Sequence, residues 1–539
     1  MRIADAILLY LYKNGVRHAF GIPTGQLSGF NDALNDIDID YIVVKNEAAA
    51  TYSAGRYADL KRDLGVCLIG GCVGVNNAIN GIADAYRNKL PVLIVSSYVK
   101  RESMNKNALQ EMITTDITTP ITKYSKTVFE PDNVMEEFEK ALKIALTPPH
   151  GPVHLSIPTD VQLTKFKGII PDRIDRDKLK PKFDDKSLKK ATNTINNKNT
   201  GVIMVGRGAR GLTEEIKKLS STLKWPTITT PNAKGLISSK FEYNLGNYGW
   251  CTTDGAAEYI DNTDFDCLLV LGSSLGQMST RAYKKTLVEN KTVIHIDWDK
   301  NEFNKVFKTD IPVYYDLEAA IKKINKNIHP KNNVFYKPDI NKPYTKNHTG
   351  LSLRIFMEKI VDIVPEDTCF VQDMGENMNF SFKYLPLKEK MDFQTSIHYA
   401  SMGTAIAGVM GSYLANPNRQ YAVLVGDGSF YMNGMELLTA KEHNMPIIYF
   451  VVNNSMFGLV EHAGKLVYGR SHKGKSIFSR VSIKDMAESM GIESVKISHI
   501  KQLGEIKEKI HNLDKPFVVE LITDGSEILL DKDRWSNKV

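Results

Sequence analysis

Residues 421–454, YAVLVGDGSFYMNGMELLTAKEHNMPIIYFVVNN, constrain the fold of this chain more than any other stretch. An apolar run, Ala422 to Val425, ends at Gly426-Asp427-Gly428. A helix-like segment follows, and a second apolar run, Ile447 to Val452, ends at Asn453-Asn454. Strand, helix and strand in that order predict two parallel strands whose ends lie on one edge of a sheet. Asp427 and Asn454 then converge at the carboxyl ends of the strands, where open α/β sheets bind ligands. One carboxylate and one amide oxygen suit Mg²⁺, a hard cation that takes few protein oxygens and keeps positions for phosphate and water. The glycines let the backbone approach a phosphate, and amides at the following helix start can donate to it.

The same alternation recurs along the chain. At 539 residues, a length of ~150 residues per domain predicts about three domains. The first, residues 1–165, holds the runs YIVV, GVCLIG, PVLIVSS and VHLSIP, short β-branched strands with helical patterns between them. A connector rich in Lys, Asp and Pro follows. The second domain, residues 189–327, contains GVIMVG, CLLVLG and TVIHIDWD. A polar stretch, NKNIHPKNNVFYKPDINKPYTKNH, separates it from the third domain, residues 350–539. The predicted fold class is α/β, three doubly wound parallel-sheet domains.

Composition narrows the function. Net charge is +7 but diffuse, with lysines crowding residues 165–198 as on a solvated linker, so nucleic acid is not an expected partner. The five cysteines are scattered and complete no zinc pattern, so reduced and mostly buried thiols are expected. MRIADAILLYLYKNG is amphipathic and lacks a signal peptide's cleavage region. With no apolar run of membrane-spanning length, the expected location is the cytoplasm. Gly206-Arg207-Gly208-Ala209-Arg210-Gly211 follows a strand and matches the dinucleotide fingerprint. The acid expected about 20 residues on is missing from WPTITTPNAKG, which argues against NAD and leaves the glycines a packing task.

GDG, 24 intervening residues and NN resemble the cofactor signature of thiamine-diphosphate (ThDP) enzymes. The resemblance extends to GPVHLSIPTDVQ, to PTITTPNAKGLI, LGSSLG and IHIDWDKNEFNK, and to HYASMGTAIAGVMG. It implies three domains in the order pyrimidine-binding, middle and diphosphate-binding. It implies that Asp427, Asn454 and the carbonyl of Met456 hold Mg²⁺, with Gly426, Gly428 and Ser429 at the diphosphate. Glu47, in VVKNEAAATYSAGRYAD, takes the place of the acid that drives the cofactor's imino tautomer. Met402 takes the place of the wedge that bends the cofactor. Ala400, where the family commonly has glycine, would offer its carbonyl to the pyrimidine amino group. In the family Glu47 and Asp427 come from different subunits, so a homodimer or homotetramer is implied. One chain supplying both stays an alternative.

The family spans decarboxylases, carboligases such as acetolactate synthase, acyl-CoA lyases and oxidases. ALQEMITTDITTPITK resembles a segment of acetolactate-synthase-like enzymes and makes Gln110 a candidate near the reacting centre, with a surface-loop glutamine the equal alternative. A simple decarboxylase must protonate its intermediate from a placed donor. The position that carries an acid after NN in pyruvate-decarboxylase-like enzymes is Val460 here, and no HisHis pair occurs. An apolar pocket that delays protonation favours ligation, although adjacent Glu461 and His462 leave a donor open. The flavin-associated RFDDR-type element is not visible at LGSSLGQMSTR, so FAD and a second 2-oxo acid stay open, with Arg281 a candidate substitute for its arginine. The implied function is a ThDP/Mg²⁺ carboligase that decarboxylates a 2-oxo acid, pyruvate by default, and transfers the acyl carbanion to a carbonyl acceptor. The alternatives are a non-oxidative 2-oxo-acid decarboxylase and a catalytically silent ThDP-binding regulatory homologue. Thr24, Gln26 and the surroundings of Phe457 are candidate specificity positions.

Overall fold

The computed structural model describes residues 1–338, 350–531 and 533. Part of the polar stretch and the end of the third expected domain therefore lie outside the described residues. Among the described residues, eighteen strands form three six-stranded sheets in which every pairing is parallel. The first sheet contains β1 (His18–Gly21), β2 (Asp40–Val43), β3 (Gly65–Ile69), β4 (Val92–Tyr98), β5 (Tyr124–Thr127) and β6 (Val153–Pro158), in the order β2-β1-β3-β4-β6-β5. The middle sheet contains β7 (Gly201–Val205), β8 (Thr227–Thr229), β9 (Asn244–Asn247), β10 (Cys267–Leu271), β11 (Thr292–Asp297) and β12 (Ile311–Tyr314). Its order, β12-β11-β10-β7-β8-β9, is the doubly wound dinucleotide-fold order read from the opposite edge. The third sheet contains β13 (Cys369–Gln372), β14 (Asp392–Thr395), β15 (Tyr421–Gly426), β16 (Ile447–Asn453), β17 (Glu493–Ile497) and β18 (Phe517–Ile522). Its order, β14-β13-β15-β16-β18-β17, repeats the topology of the first sheet.

The apolar runs became the central strands because helices cover both faces of each sheet: β3, β4, β6, β7 and β10 are buried at every residue. Among the strands that the sequence reading did not isolate are β5, β9 and β17, edge strands of sequence YSKT, NLGN and ESVKI. An edge strand keeps polar residues and offers no continuous apolar run. The glycine-rich loop after β7 packs tightly, as expected. A side chain at Gly206 would stand 2.2 Å from the Gly272 carbonyl oxygen, and one at Gly208 3.0 Å from the Gly272 Cα.

The first and third sheets share one core. The helix Glu47–Lys61, rich in Ala, Ser and Gly, lies against the helix Thr404–Ala415, and Ala49, Val75 and Ile82 pack in one cluster with Ile406, Val409 and Val425. Small residues bring the two backbones close: Ser53 Oγ donates to the Ala407 carbonyl at 2.7 Å. A Cβ on Gly411 would lie 1.9 Å from the Ser53 carbonyl oxygen.

Candidate active site

β15 and β16 pair in register from Tyr421–Ile447 to Gly426–Val452, so their carboxyl ends fall side by side. The segment between them is not one helix. It runs Asp427–Asn433, then a 3-10 turn over Gly434–Glu436, then Leu437–Glu442. Asp427 sits at the first helical position. Its carboxylate accepts from the Gly428 amide at 2.8 Å and the Ser455 amide at 2.6 Å. Burial pushes its pKa up to about 6, against the pull of the Ser455, Gly428 and Asn454 amides. Asn454 Oδ1 accepts from the Met456 amide at 3.2 Å, closing the turn that follows β16.

These residues line a cavity of about 250 Å³ that also receives Ala400, Met402, Gly426, Gly428, Ser429 and Met456. Every residue expected on the diphosphate side is thereby brought together. Ala400 has φ +64°, the left-handed conformation that an alanine adopts at a cost of roughly 1–2 kcal/mol. That is a physical reason for glycine at such a position.

Sequence reasoning missed four residues here. Asp373, fully buried at the end of β13, accepts from the Gly403 amide at 2.8 Å and the Ala405 amide at 2.7 Å, fixing the turn next to Met402. Asn377 lines the cavity, and its buried Nδ2 has no hydrogen-bond acceptor among the described residues. Glu376 lines the cavity and pairs with His462 Nδ1 at 2.7 Å, both being buried. These partners lie far apart in sequence, and no local motif marks them. Of the two candidate donors after Val460, Glu461 turns instead toward Ser476 and Lys465.

Glu47 opens its helix as expected, behind an Asn46 cap whose side chain accepts from the Ala48 amide at 2.8 Å. The fourth missed residue is Asn77, which donates to Glu47 Oε2 at 3.0 Å. Glu47 Oε1 faces Gly74, where an added Cβ would stand only 3.3 Å away. Glu47 does not line the cavity of Asp427. Thr24 and Gln26 lie on the Glu47 side, against Gly70 and Gly71. Gln110 sits exposed on a loop with φ +63° and lines no part of that cavity either. Arg281 is committed elsewhere, to Asp261 at 2.7 Å and Asp533 at 2.6 Å, which removes it as a substitute for the missing arginine.

The geometry suits a metal diphosphate: a buried carboxylate with only amide partners, an adjacent amide oxygen, glycine-lined walls and an orphan amide donor at Asn377. Family comparison agrees. Residues 1–119, 188–324 and 373–521 match the N-terminal TPP binding, central and C-terminal TPP binding domains of thiamine pyrophosphate enzymes. The chain belongs to the thiamine pyrophosphate enzymes and is a thiamine-diphosphate-dependent enzyme. It is similar to the "Probable acetolactate synthase large subunit" of Methanocaldococcus jannaschii, 28% identical over 98% of this chain and 93% of that one. The acetolactate synthase large subunit of Lactococcus lactis is also 28% identical over the same shares, and isozyme 3 of Escherichia coli 25% over 97% and 95%. A solved structure from Mycobacterium smegmatis, described as a thiamin diphosphate-dependent enzyme, has the same fold. It superposes with a TM-score of 0.85 over 97% of this chain and 99% of that one, at 20% identity.

Proposed function

We propose that this enzyme is a Mg²⁺-dependent carboligase that removes CO₂ from a 2-oxo acid, pyruvate by default, and joins the acyl unit to a carbonyl acceptor. The observation that carries the reading is the convergence of Asp427, Asn454, Gly428, Ser429, Asn377, Ala400 and Met402 on one cavity. Bound there, thiamine diphosphate supplies the electron sink for loss of CO₂. Asp427, Asn454 and the Met456 carbonyl would hold the metal, with Gly426, Gly428, Ser429 and the Asn377 amide at the diphosphate. Met402 would keep the cofactor bent, the Ala400 carbonyl would accept from the pyrimidine amine, and Glu47 would hold a proton at the pyrimidine ring.

Leu459, Val460 and Phe457 line the cavity with apolar surface, which supports ligation by withholding water and protons. Relatives named as acetolactate synthases support the same choice. A second reading, non-oxidative decarboxylation, is favoured by the Glu376–His462 pair at the cavity wall, a candidate proton donor.

Glu47 lies outside this cavity, so the reading includes a homodimer or homotetramer in which a partner chain completes each site. Exposed apolar side chains support it on both faces: Val73 and Met112 near Glu47, and Met432 and Val460 near Asp427. The test is incubation with ThDP, Mg²⁺ and pyruvate, alone and with a panel of aldehyde and 2-oxo-acid acceptors, followed by NMR. Coupled products are expected. Acetaldehyde as the sole product in every mixture selects the decarboxylase, and a yellow purified protein would add flavin.

A further inference from the structure

A separate cavity of about 180 Å³ lies between the middle and third domains and shares no lining residue with that of Asp427. Lys234, Lys337 and Lys383 line it, beside Thr229, Thr253 and Asn247, and among the described residues no Asp or Glu does. Lys234 is 7% exposed. Its Nζ donates one hydrogen bond, to the Phe382 carbonyl at 3.2 Å, and no ion pair among the described residues includes it. An ammonium carries three donors, so two are left without an acceptor among the described residues. Burial alone pushes its pKa down to about 7, with no neighbouring charge pulling it back, and burial lowers that of Lys337 as well. Lys383 pairs with Asp254 at 3.1 Å, just outside the lining. Tyr384 is the remaining titratable group on the wall, and burial raises its pKa.

Buried charges in proteins are paired or neutralised. A lysine-lined wall without its counter-charge is therefore half of an ion pair. We propose that this cavity binds a small tetrahedral oxyanion of the phosphate class, with Lys234 as its innermost contact. Lysine presents a compact charge with rotatable donors that suits phosphate oxygens, and the volume admits a phosphoryl group. The helix Glu376–Tyr384 joins the two cavities: Glu376, Asn377 and Met378 front one, Lys383 and Tyr384 the other. An anion there holds the far end of the helix that fronts the catalytic cavity.

The inference is independent of the acyl-transfer reading. Its test is isothermal titration of the full chain at pH 8 with sulfate, phosphate or malonate, in Tris and in HEPES. Saturating ThDP and Mg²⁺ keep the other cavity filled, and sulfate is the probe that does not itself titrate. Saturable binding of phosphate and sulfate is expected. For sulfate the buffer dependence should show uptake approaching one proton per anion, because the bound dianion returns the proton that Lys234 lacks at that pH. Lys234→Met should weaken binding at least tenfold and abolish the uptake. Lys337→Gln should weaken it several-fold.

No saturable heat overturns the proposal, as does equal binding by Lys234→Met, which would leave that residue only a helix-end contact. Tighter binding of malonate overturns the phosphate class. Loss of binding whenever ThDP and Mg²⁺ are present assigns the anion to the Asp427 cavity and also overturns it. If Lys234→Met does not fold, the proton count on the parent protein and the Lys337→Gln titration decide.

Discussion

Asp427 shows how one side chain serves binding at the expense of folding. Its folded pKa of about 6 lies above the ordinary 3.8. In the cofactor-free protein its contribution to stability is therefore fully present below about 3.8 and is lost as pH rises through about 6, a difference of about 3 kcal/mol. A cation reverses that preference, because only the carboxylate coordinates and binding must expel the proton. Calorimetric affinity for Mg²⁺ and ThDP should thus fall about tenfold per pH unit on acidification below about 6. Glu47→Gln keeps the shape and the Asn77 contact but cannot hold the proton, so turnover should drop at least 100-fold while ThDP affinity stays within a few-fold. Unchanged turnover would remove Glu47 from the chemistry. Ala400→Gly relieves the left-handed φ of +64° and should stabilise the fold slightly, by up to about 1 kcal/mol after the added flexibility of the unfolded chain is offset, read as a higher denaturation midpoint.

At the scale of elements, the site is a set of strand ends held by clamps from elsewhere. Asp373 directly follows β13 and accepts from two amides of the turn at Gly403–Ala405, about thirty residues away in sequence, and so sets where Met402 and Ala400 stand. Asp373→Asn replaces one acceptor oxygen by a donor facing an amide. It should weaken ThDP binding about tenfold in titration calorimetry, consistent with loss of a buried charge-assisted hydrogen bond. The far-ultraviolet circular dichroism should be preserved, and an unchanged affinity would make the clamp irrelevant to the site. The GDG–NN unit was legible because both strands and their turns lie within one local stretch. The Asp373 clamp, the Asn377 donor and the Glu376–His462 pair were not, since each depends on a contact between separate elements.

For the whole molecule, the contact between the first and third domains rests on close backbone approach. A methyl group at Gly411 would stand 1.9 Å from the Ser53 carbonyl oxygen, a backbone atom that cannot swing away. Gly411→Ala should cost several kcal/mol and appear as lost soluble yield or a lowered melting point. Sedimentation should show at least a dimer, with specific activity falling on dilution while helicity holds; an active monomer would overturn the shared site. Sequence pattern alone determined the α/β class, the three-part division (from length and polar connectors) and the strand ends bearing Asp427 and Asn454, because βαβ units write their pattern locally. Tertiary structure alone decided that Glu47 stands outside the Asp427 cavity, that Arg281 is spent on two aspartates, and that Lys234 lines a cavity with no counter-charge among the described residues. Those outcomes depend on which surfaces meet, and residues hundreds of positions apart carry no mark of their partners in their own neighbourhood.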